Sequence, residues 1–113
     1  ANSLYSLARL RMAQGRPLEA EPLFREALSI RETLLGTANP LSAGTRVELA
    51  GCLIEQGRYA EAEPLLLQGL TDLEAAGHPK VGEALQRLAG LYAAWGRPEQ
   101  ASVFQARLDA RFE

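Results

Sequence analysis

The sequence predicts an all-α fold, an α-solenoid of three antiparallel helix-turn-helix units that form a single array over residues 1–113. The stretch QGRPLEAEPLFREAL, from Gln14 to Leu28, recurs as QGRYAEAEPLLLQGL from Gln56 to Leu70, with nine of its fifteen positions identical. A weaker third copy, WGRPEQASVFQARLD, begins at Trp95. Apolar residues recur at helical spacing before and within each copy, which favours paired helices that stack on their neighbours.

The repeat divides the chain into units at approximately 1–38, 39–77 and 78–113. Each unit is predicted to hold two helices, and the six span 2–14, 17–35, 40–56, 59–76, 79–95 and 98–112. A glycine closes each first helix, because glycine readily adopts the left-handed conformation that ends a helix. Asn39 and His78 each precede a proline and are expected to start the next helix.

Two prolines fall inside predicted second helices. Pro22 and Pro64 each lie about five residues from the predicted helix start. The first backbone N–H groups of a helix have no partner within it, so a proline there removes little hydrogen bonding. We therefore expect both helices to continue through the proline, with a slight bend at most.

Composition argues against several classes of protein. The net charge is −2 and acids and bases are interspersed, so a nucleic-acid surface is not expected. No apolar run approaches the roughly 18 residues of a membrane span, and no signal peptide is visible. This pattern predicts a cytoplasmic protein without a membrane partner. Eleven of the twelve basic residues are Arg, which indicates a GC-rich bacterial genome or, alternatively, ion pairing by Arg.

The residues that could carry chemistry have structural interpretations. His78 aligns with Asn39 at a helix start, and Cys52, the only cysteine, lies in an apolar helix as a small buried residue. Neighbouring acids, at positions 19 and 21 and at 61 and 63, are two residues apart and cannot converge on one side of a helix. No phosphate-binding loop is present. We therefore expect no enzymatic activity, no cofactor and no metal.

A set of repeated positions carries a family resemblance. These are a Leu-Ala pair, a turn glycine and a small-aromatic-small pattern, namely Leu7, Ala8, Gly15, Ala20, Phe24 and Ala27 in unit one, Leu49, Ala50, Gly57, Tyr59, Ala62 and Leu66 in unit two, and Leu88, Ala89, Tyr92, Gly96 and Ala101 in unit three. The pattern resembles the tetratricopeptide repeat (TPR), in the 42-residue form of kinesin light chains. The resemblance implies a right-handed superhelix and a non-catalytic scaffold or adaptor, of a kind that many bacterial signalling proteins carry.

The resemblance also implies a binding surface, in which the first helices line a concave groove for a peptide or a helix of a partner protein. The matching positions are Asn2, Tyr5, Arg9 and Met12 in unit one, Val47, Gly51 and Ile54 in unit two, and Glu83, Gln86, Gly90 and Ala93 in unit three. Only Asn2 and Arg9 could hold a chain-terminal carboxylate, so a carboxylate clamp is not expected. An alternative interpretation is that the small residues are needed where first helices pack tightly.

The two ends of the array differ in polarity. Gln105 and Asp109 stand where the earlier units have apolar residues, which predicts that residues 98–113 lie near the C-terminal end of the array. Leu7 and Leu10 leave the first helix apolar, which predicts a C-terminal fragment of a longer array. Phe112 is expected to be exposed or to touch a partner. Alternative functions are a spacer, a segment that self-associates through its N-terminal unit, and a peptide-sensing regulatory domain.

Overall fold

The structure, a computed structural model, describes residues 2–111 and comprises six α-helices. The side chain of Asn2 and the whole of Phe112 lie outside the described part. The helices are α1 (Asn2–Ala13), α2 (Pro17–Leu35), α3 (Pro40–Glu55), α4 (Tyr59–Ala75), α5 (Val81–Ala94) and α6 (Pro98–Ala110). Each helix packs on the next along the chain, which confirms the predicted all-α solenoid of three helical hairpins.

The array curves, with its first helices on the inner side. α1 contacts α3, and α3 contacts α5. Within residues 2–111, by contrast, no Cα of α2 lies within 8 Å of α4, and none of α4 lies within 8 Å of α6. Because the first helices are close together while the second helices diverge, the side formed by α1, α3 and α5 is the concave face.

Glycines in the left-handed conformation close the three first helices, as predicted. The φ angles of Gly15, Gly57 and Gly96 are 72°, 74° and 74°. At the first of these turns the backbone N–H of Arg16 donates to the carbonyl of Arg11 at 2.9 Å, and equivalent bonds close the other two. These bonds satisfy carbonyls that the helix end would otherwise leave without a partner.

The start of α5 differs from the prediction. The helix begins at Val81 rather than at position 79, because the preceding residues form a separate turn. The His78 ring accepts a hydrogen bond at Nδ1 from the Lys80 backbone N–H (3.1 Å), and the Val81 N–H donates to the His78 carbonyl (3.2 Å). Asn39 caps α3 in the same manner, since its Oδ1 accepts from the Leu41 N–H at 2.9 Å. The predicted equivalence of His78 and Asn39 therefore extends to their hydrogen bonds.

The two interior prolines behave as predicted. Pro22 and Pro64 lie inside α2 and α4, each as the sixth residue, and both helices continue through them. Because each proline lies in the second turn, it removes at most one hydrogen bond of the helix, and the remaining turns keep their regular hydrogen bonds.

The core is centred on α3, which is buried on every side from Ser42 to Leu53. This burial follows from its position, since α3 lies between both neighbouring units. Most repeat positions named above are buried as well, and Ala8, Ala20 and Ala62 are fully buried where two helices approach closely. Leu7 is 38% exposed, whereas no residue of α6 is buried. The two end units therefore expose surfaces whose equivalents in the middle unit are covered by the neighbouring units.

Candidate functional site

Of the predicted groove residues in unit one, Tyr5 is packed against α2, whereas Arg9 and Met12 are accessible. The ring of Tyr5 meets Phe24 edge-on at 6.0 Å between centroids, and the Arg31 guanidinium lies 4.5 Å from its centroid. Tyr5 is therefore held between α1 and α2. Arg9 is exposed and Met12 is half-buried on the concave face.

In unit two only one of the three predicted groove residues keeps an accessible side chain. Val47 is fully buried and lies against Gly69 of α4, so its side chain belongs to the core. Gly51 is buried beneath the guanidinium of Arg87. Ile54 is half-buried and remains partly open to solvent. Position 47 points to its own hairpin rather than into the groove, a direction that repeat spacing does not reveal.

Four charged side chains connect α3 and α5 on the concave face, and we call them the ionic cluster: Glu48, Lys80, Glu83 and Arg87. The Lys80 ammonium lies 2.8 Å from Glu48 and 3.2 Å from Glu83. The Arg87 guanidinium lies 3.7 Å from Glu48 and 3.3 Å from Glu83. Two basic and two acidic side chains therefore form one network, in which Glu48 is buried.

Two glycines of α3 make room for this cluster. Gly44 and Gly51 are separated by two helical turns, and so are Lys80 and Arg87 opposite them. A Cβ on Gly44 would come within 3.2 Å of the Lys80 side chain, and one on Gly51 would overlap the Arg87 guanidinium. Glu48, Lys80 and Arg87 were not predicted from the sequence as surface-forming residues. The matched spacing of the glycines and the cations was the signal that could have found them.

The two carboxyl groups of the cluster differ in proton affinity. Burial raises the pKa of Glu48, and a hydrogen bond with Glu83 acts in the same direction. Burial would raise the pKa of Glu83 too, but the hydrogen bond with Glu48 and the charges of Lys80 and Arg87 outweigh it and lower the pKa to about 2. Glu83 is therefore ionised at neutral pH.

Polar bonds at equivalent positions join each unit to the next. Glu21 of α2 accepts hydrogen bonds from Gln56 (3.0 Å) and Arg58 (2.6 Å) of unit two. Glu63 of α4 accepts one from the Tyr92 hydroxyl of unit three at 2.6 Å. Glu21 and Glu63 occupy the same position in successive repeats, so one repeat position supplies the acceptor at both unit boundaries.

Cys52 belongs to the first of these boundaries. Its thiol donates to the Pro17 carbonyl across the boundary, at 2.9 Å between Sγ and O. The residue is fully buried, and burial raises the pKa of the thiol. Because the thiolate is the nucleophilic form of cysteine, this environment is that of a packing residue.

The third unit holds an open cavity of about 550 Å³ between α5 and α6, which we call the end cavity. Three predicted groove residues of α5, namely Gln86, Gly90 and Ala93, line this cavity. The lining residues are Gln86, Ala89, Gly90, Ala93, Pro98, Ala101, Ser102 and Gln105. Half of these lining residues are Ala or Gly, and the polar ones are Gln86, Ser102 and Gln105.

Two further properties concern the described part of the chain. Across residues 2–111, no group of three or more His, Cys, Asp or Glu residues is placed to hold a metal ion. Over the same range, each helix is too short or too polar to cross a membrane.

Comparison with known proteins agrees with this geometry. The family model described as tetratricopeptide repeat matches residues 1–75 and again 43–107. No curated protein matches the chain. Among solved structures, the TPR domain of Arabidopsis FLU aligns with a TM-score of 0.86 and 23% identity, covering 97% of this chain and 92% of that one.

A second solved structure supports the longer repeat type. A putative kinesin light chain from Podosopora anserina, with nearly identical TPR-like repeats, aligns with a TM-score of 0.84 and 26% identity. The alignment covers 96% of this chain and 53% of that one, so the chain spans about half the length of that protein. The repeat positions, the helical hairpins and the family match together show that this chain belongs to the tetratricopeptide repeat family, with repeats of the kinesin-light-chain-like kind.

Proposed function

We propose that this chain is a scaffold or adaptor module that binds a peptide or a helix of a partner protein on its concave face. TPR repeats generally mediate protein–protein interactions. The observation that carries the proposal is a row of side chains at one repeat position. Met12 and Ile54 are half-buried and Ala93 is exposed, and they lie at equivalent turns of three adjacent first helices.

The dimensions of this row suit a short segment. Packed helices lie about 8–10 Å apart, so three of them present contacts over roughly 20 Å. An extended peptide of about six residues, or about four turns of a helix, covers that length. Arg9 and Glu55 are exposed near the row and offer one charge of each sign. A segment with apolar residues on one side and mixed charges beside them matches this surface.

The ionic cluster supports the proposal by holding the surface rigid. Two of its ion pairs, from Lys80 and from Arg87 to Glu48, join the third unit to α3, and two more, to Glu83, hold Lys80 and Arg87 in place. A surface that is already ordered loses less conformational entropy when a partner binds.

A peptide selection tests the proposal. Random peptides displayed on phage are selected for binding to the purified chain, and the affinities of the selected peptides are measured by titration. We expect Ile54→Glu to weaken their binding by roughly 10-fold or more, because a charge would be buried beneath the peptide. The matched control is Leu67→Glu on α4, a second helix, which should leave affinity unchanged. Equal losses in both variants, or peptides that ignore Ile54→Glu, would argue for another surface.

A second candidate function, self-association, is favoured by one observation. Leu7 and Leu10 of α1 are 38% and 49% exposed, whereas the residues at the equivalent positions of units two and three are buried. Two neighbouring exposed leucines on one helix form an apolar surface suited to contact with another protein chain.

A further inference from the structure

We propose that Glu48 is a pH-operated charge switch on the concave face: the ionic cluster is positively charged while Glu48 holds a proton that it shares with Glu83, and neutral once that proton is lost. This goes beyond peptide binding, because it is a property of the surface itself and needs no partner. One consequence, which alone rests on the proposed function, is that an acidic group of a partner would be held more tightly in the protonated state.

Glu48 is buried because two glycines let two cations cover it. Gly44, Glu48 and Gly51 lie on one side of α3 at helical spacing. The Lys80 side chain lies against the first glycine, and the Arg87 guanidinium lies over the second. Between these two cations Glu48 is only 8% exposed. Its carboxyl group is thereby removed from water, which disfavours the charged form.

The two carboxyl groups of the cluster are close enough to share a proton. The Lys80 ammonium lies 2.8 Å from a Glu48 oxygen and 3.2 Å from a Glu83 oxygen, so one small cation touches both. A hydrogen bond also joins the two carboxyl groups, and it requires a proton because ionised carboxylates only accept. The Glu48 side chain is 9% exposed and that of Glu83 is 37% exposed, so the proton belongs on Glu48. The raised pKa of Glu48 and the lowered pKa of Glu83 agree with this assignment.

The other charges of the cluster are constant near neutral pH. Lys80 and Arg87 are positive, because a guanidinium is always charged and the carboxylate of Glu48 raises the pKa of the ammonium. Glu83 is negative. Two positive charges and one negative charge leave one positive charge when Glu48 is protonated, and ionised Glu48 cancels it.

Charged groups on the other helices that pack on α3 have different partners. The Tyr5 hydroxyl of α1 faces the ammonium of the cluster, and Arg31 of α2 lies over the ring of that tyrosine. Glu32 of α2 and Asp72 of α4 both pair with Arg46, which lies on a different side of α3 from the cluster. The proton on Glu48 is therefore controlled mainly by the cluster itself.

One further group near the cluster titrates in the same range and must be separated from Glu48. His78 accepts a hydrogen bond from the Lys80 N–H, and histidine changes its charge near pH 6.5. Its equivalent, Asn39, makes the same kind of bond to the Leu41 N–H. His78→Asn therefore removes this titration and keeps the turn.

Charged nitroxide probes test the switch without a partner. An anionic and a cationic nitroxide are added separately to the ¹⁵N-labelled chain, and the ratio of their relaxation effects on amide protons reports the local electrostatic potential. We expect the anionic-to-cationic ratio at Gly51, Ile54 and Gly90 to fall roughly twofold as Glu48 loses its proton, because one positive charge is cancelled nearby. Carboxyl ¹³C shifts locate that titration, which should lie above the ordinary 4.5.

Four variants assign the change to its source. Glu48→Gln should keep the low-pH ratio at every pH, because the side chain stays neutral. Glu83→Gln should move the step to lower pH, because the group that shares the proton is lost. Glu55→Gln, at an exposed carboxylate two turns further along α3, is the matched control and should leave the step in place, as should His78→Asn.

The outcome is decided first in the wild type. A Glu48 carboxyl that titrates at or below pH 4.5, or a ratio that stays constant through its titration, overturns the proposal. So does a step that persists in Glu48→Gln, that stays in place in Glu83→Gln, or that disappears in His78→Asn. The amide spectrum of each variant confirms that it is folded.

Discussion

The guanidinium of Arg87 occupies the space that a Cβ would need at Gly51, so that two units press together where a side chain is missing. Arg87 can approach α3 this closely only because position 51 is a glycine. From there it reaches Glu48 at 3.7 Å while it also contacts Glu83 at 3.3 Å. Glycine at position 51 therefore lowers the helix propensity of α3, but it leaves the room that the ionic cluster needs.

Replacing the two equivalent glycines should give different results. Gly90→Ala should raise the free energy of unfolding by about 0.5–1 kcal/mol, because alanine favours a helix and no atom lies within 4 Å of the new Cβ. Gly51→Ala should raise the free energy of unfolding by less, or lower it, because the new methyl group forces the Arg87 guanidinium away from Glu48. Urea unfolding measures both at low protein concentration.

A double variant serves as the control for that comparison. In an Arg87→Ala background the new methyl group at position 51 meets no guanidinium. Gly51→Ala should then stabilise the protein by nearly as much as Gly90→Ala does. Equal effects of Gly51→Ala with and without Arg87 would contradict the proposed conflict.

Gly69 tests the close contact between α3 and α4. A Cβ there would lie 3.0 Å from the Val47 side chain and 3.2 Å from the Ala43 carbonyl. Backbone cannot move aside as Arg87 can, so we expect Gly69→Ala to lower the free energy of unfolding by about 1 kcal/mol. Thermal unfolding of this variant beside Gly90→Ala measures it. A stabilised Gly69→Ala protein would show that the helices separate readily.

Glu21 should make the first unit boundary sensitive to acid. Burial alone would raise the pKa of Glu21, but hydrogen bonds from Gln56, Arg25 and Arg58 outweigh it and lower the pKa below its ordinary 4.5. The native state then binds this proton less readily than the unfolded state, so its stabilisation is complete above pH 4.5 and is lost as pH falls. Glu21→Gln should lower stability at pH 7 by about 1 kcal/mol.

The pH dependence of that variant is the diagnostic result. The difference between wild type and Glu21→Gln should shrink as pH falls below 4.5, as measured by urea unfolding at several pH values. Glu19→Gln, at a carboxylate that is 56% exposed, is the control and should change little. A constant difference from pH 7 to pH 3 would exclude the ionised carboxylate as the cause.

Tyr92 should make the second boundary sensitive to base. Burial and the hydrogen bond to Glu63 raise the pKa of Tyr92 from 10.0 to about 12. The native state therefore keeps its proton where the unfolded state loses it. The resulting stabilisation is present below pH 10 and is lost as pH rises to about 12. Tyr92→Phe should remove this part of the pH dependence and cost about 1 kcal/mol at pH 8. Identical alkaline profiles for the two proteins would contradict it.

Repeats in the sequence predicted the hairpins well, because glycine turns and proline starts are local signals. Gly15 and Gly57 end their helices where expected, and α2 begins at Pro17 as expected. The predicted start of α5 was wrong by two residues, because the turn at His78 uses a side-chain hydrogen bond.

The surfaces were harder to predict, because they depend on contacts between distant residues. Lys80 and Glu48 are 32 residues apart, and nothing local links them. Val47 was assigned to the groove from its repeat position, yet the close approach of Gly69 turns that position into the core. The repeat thus predicts which residues are equivalent, while packing decides which equivalents face solvent.

The proposal that a partner binds the concave face is tested most directly by mapping amide chemical shifts. The ¹⁵N-labelled chain is titrated with a peptide obtained by selection, under conditions in which the chain is monomeric. We predict that the perturbed amides cluster around Arg9, Met12, Ile54 and Ala93, on three successive first helices. Perturbations confined to α2, α4 and α6 would contradict the proposal.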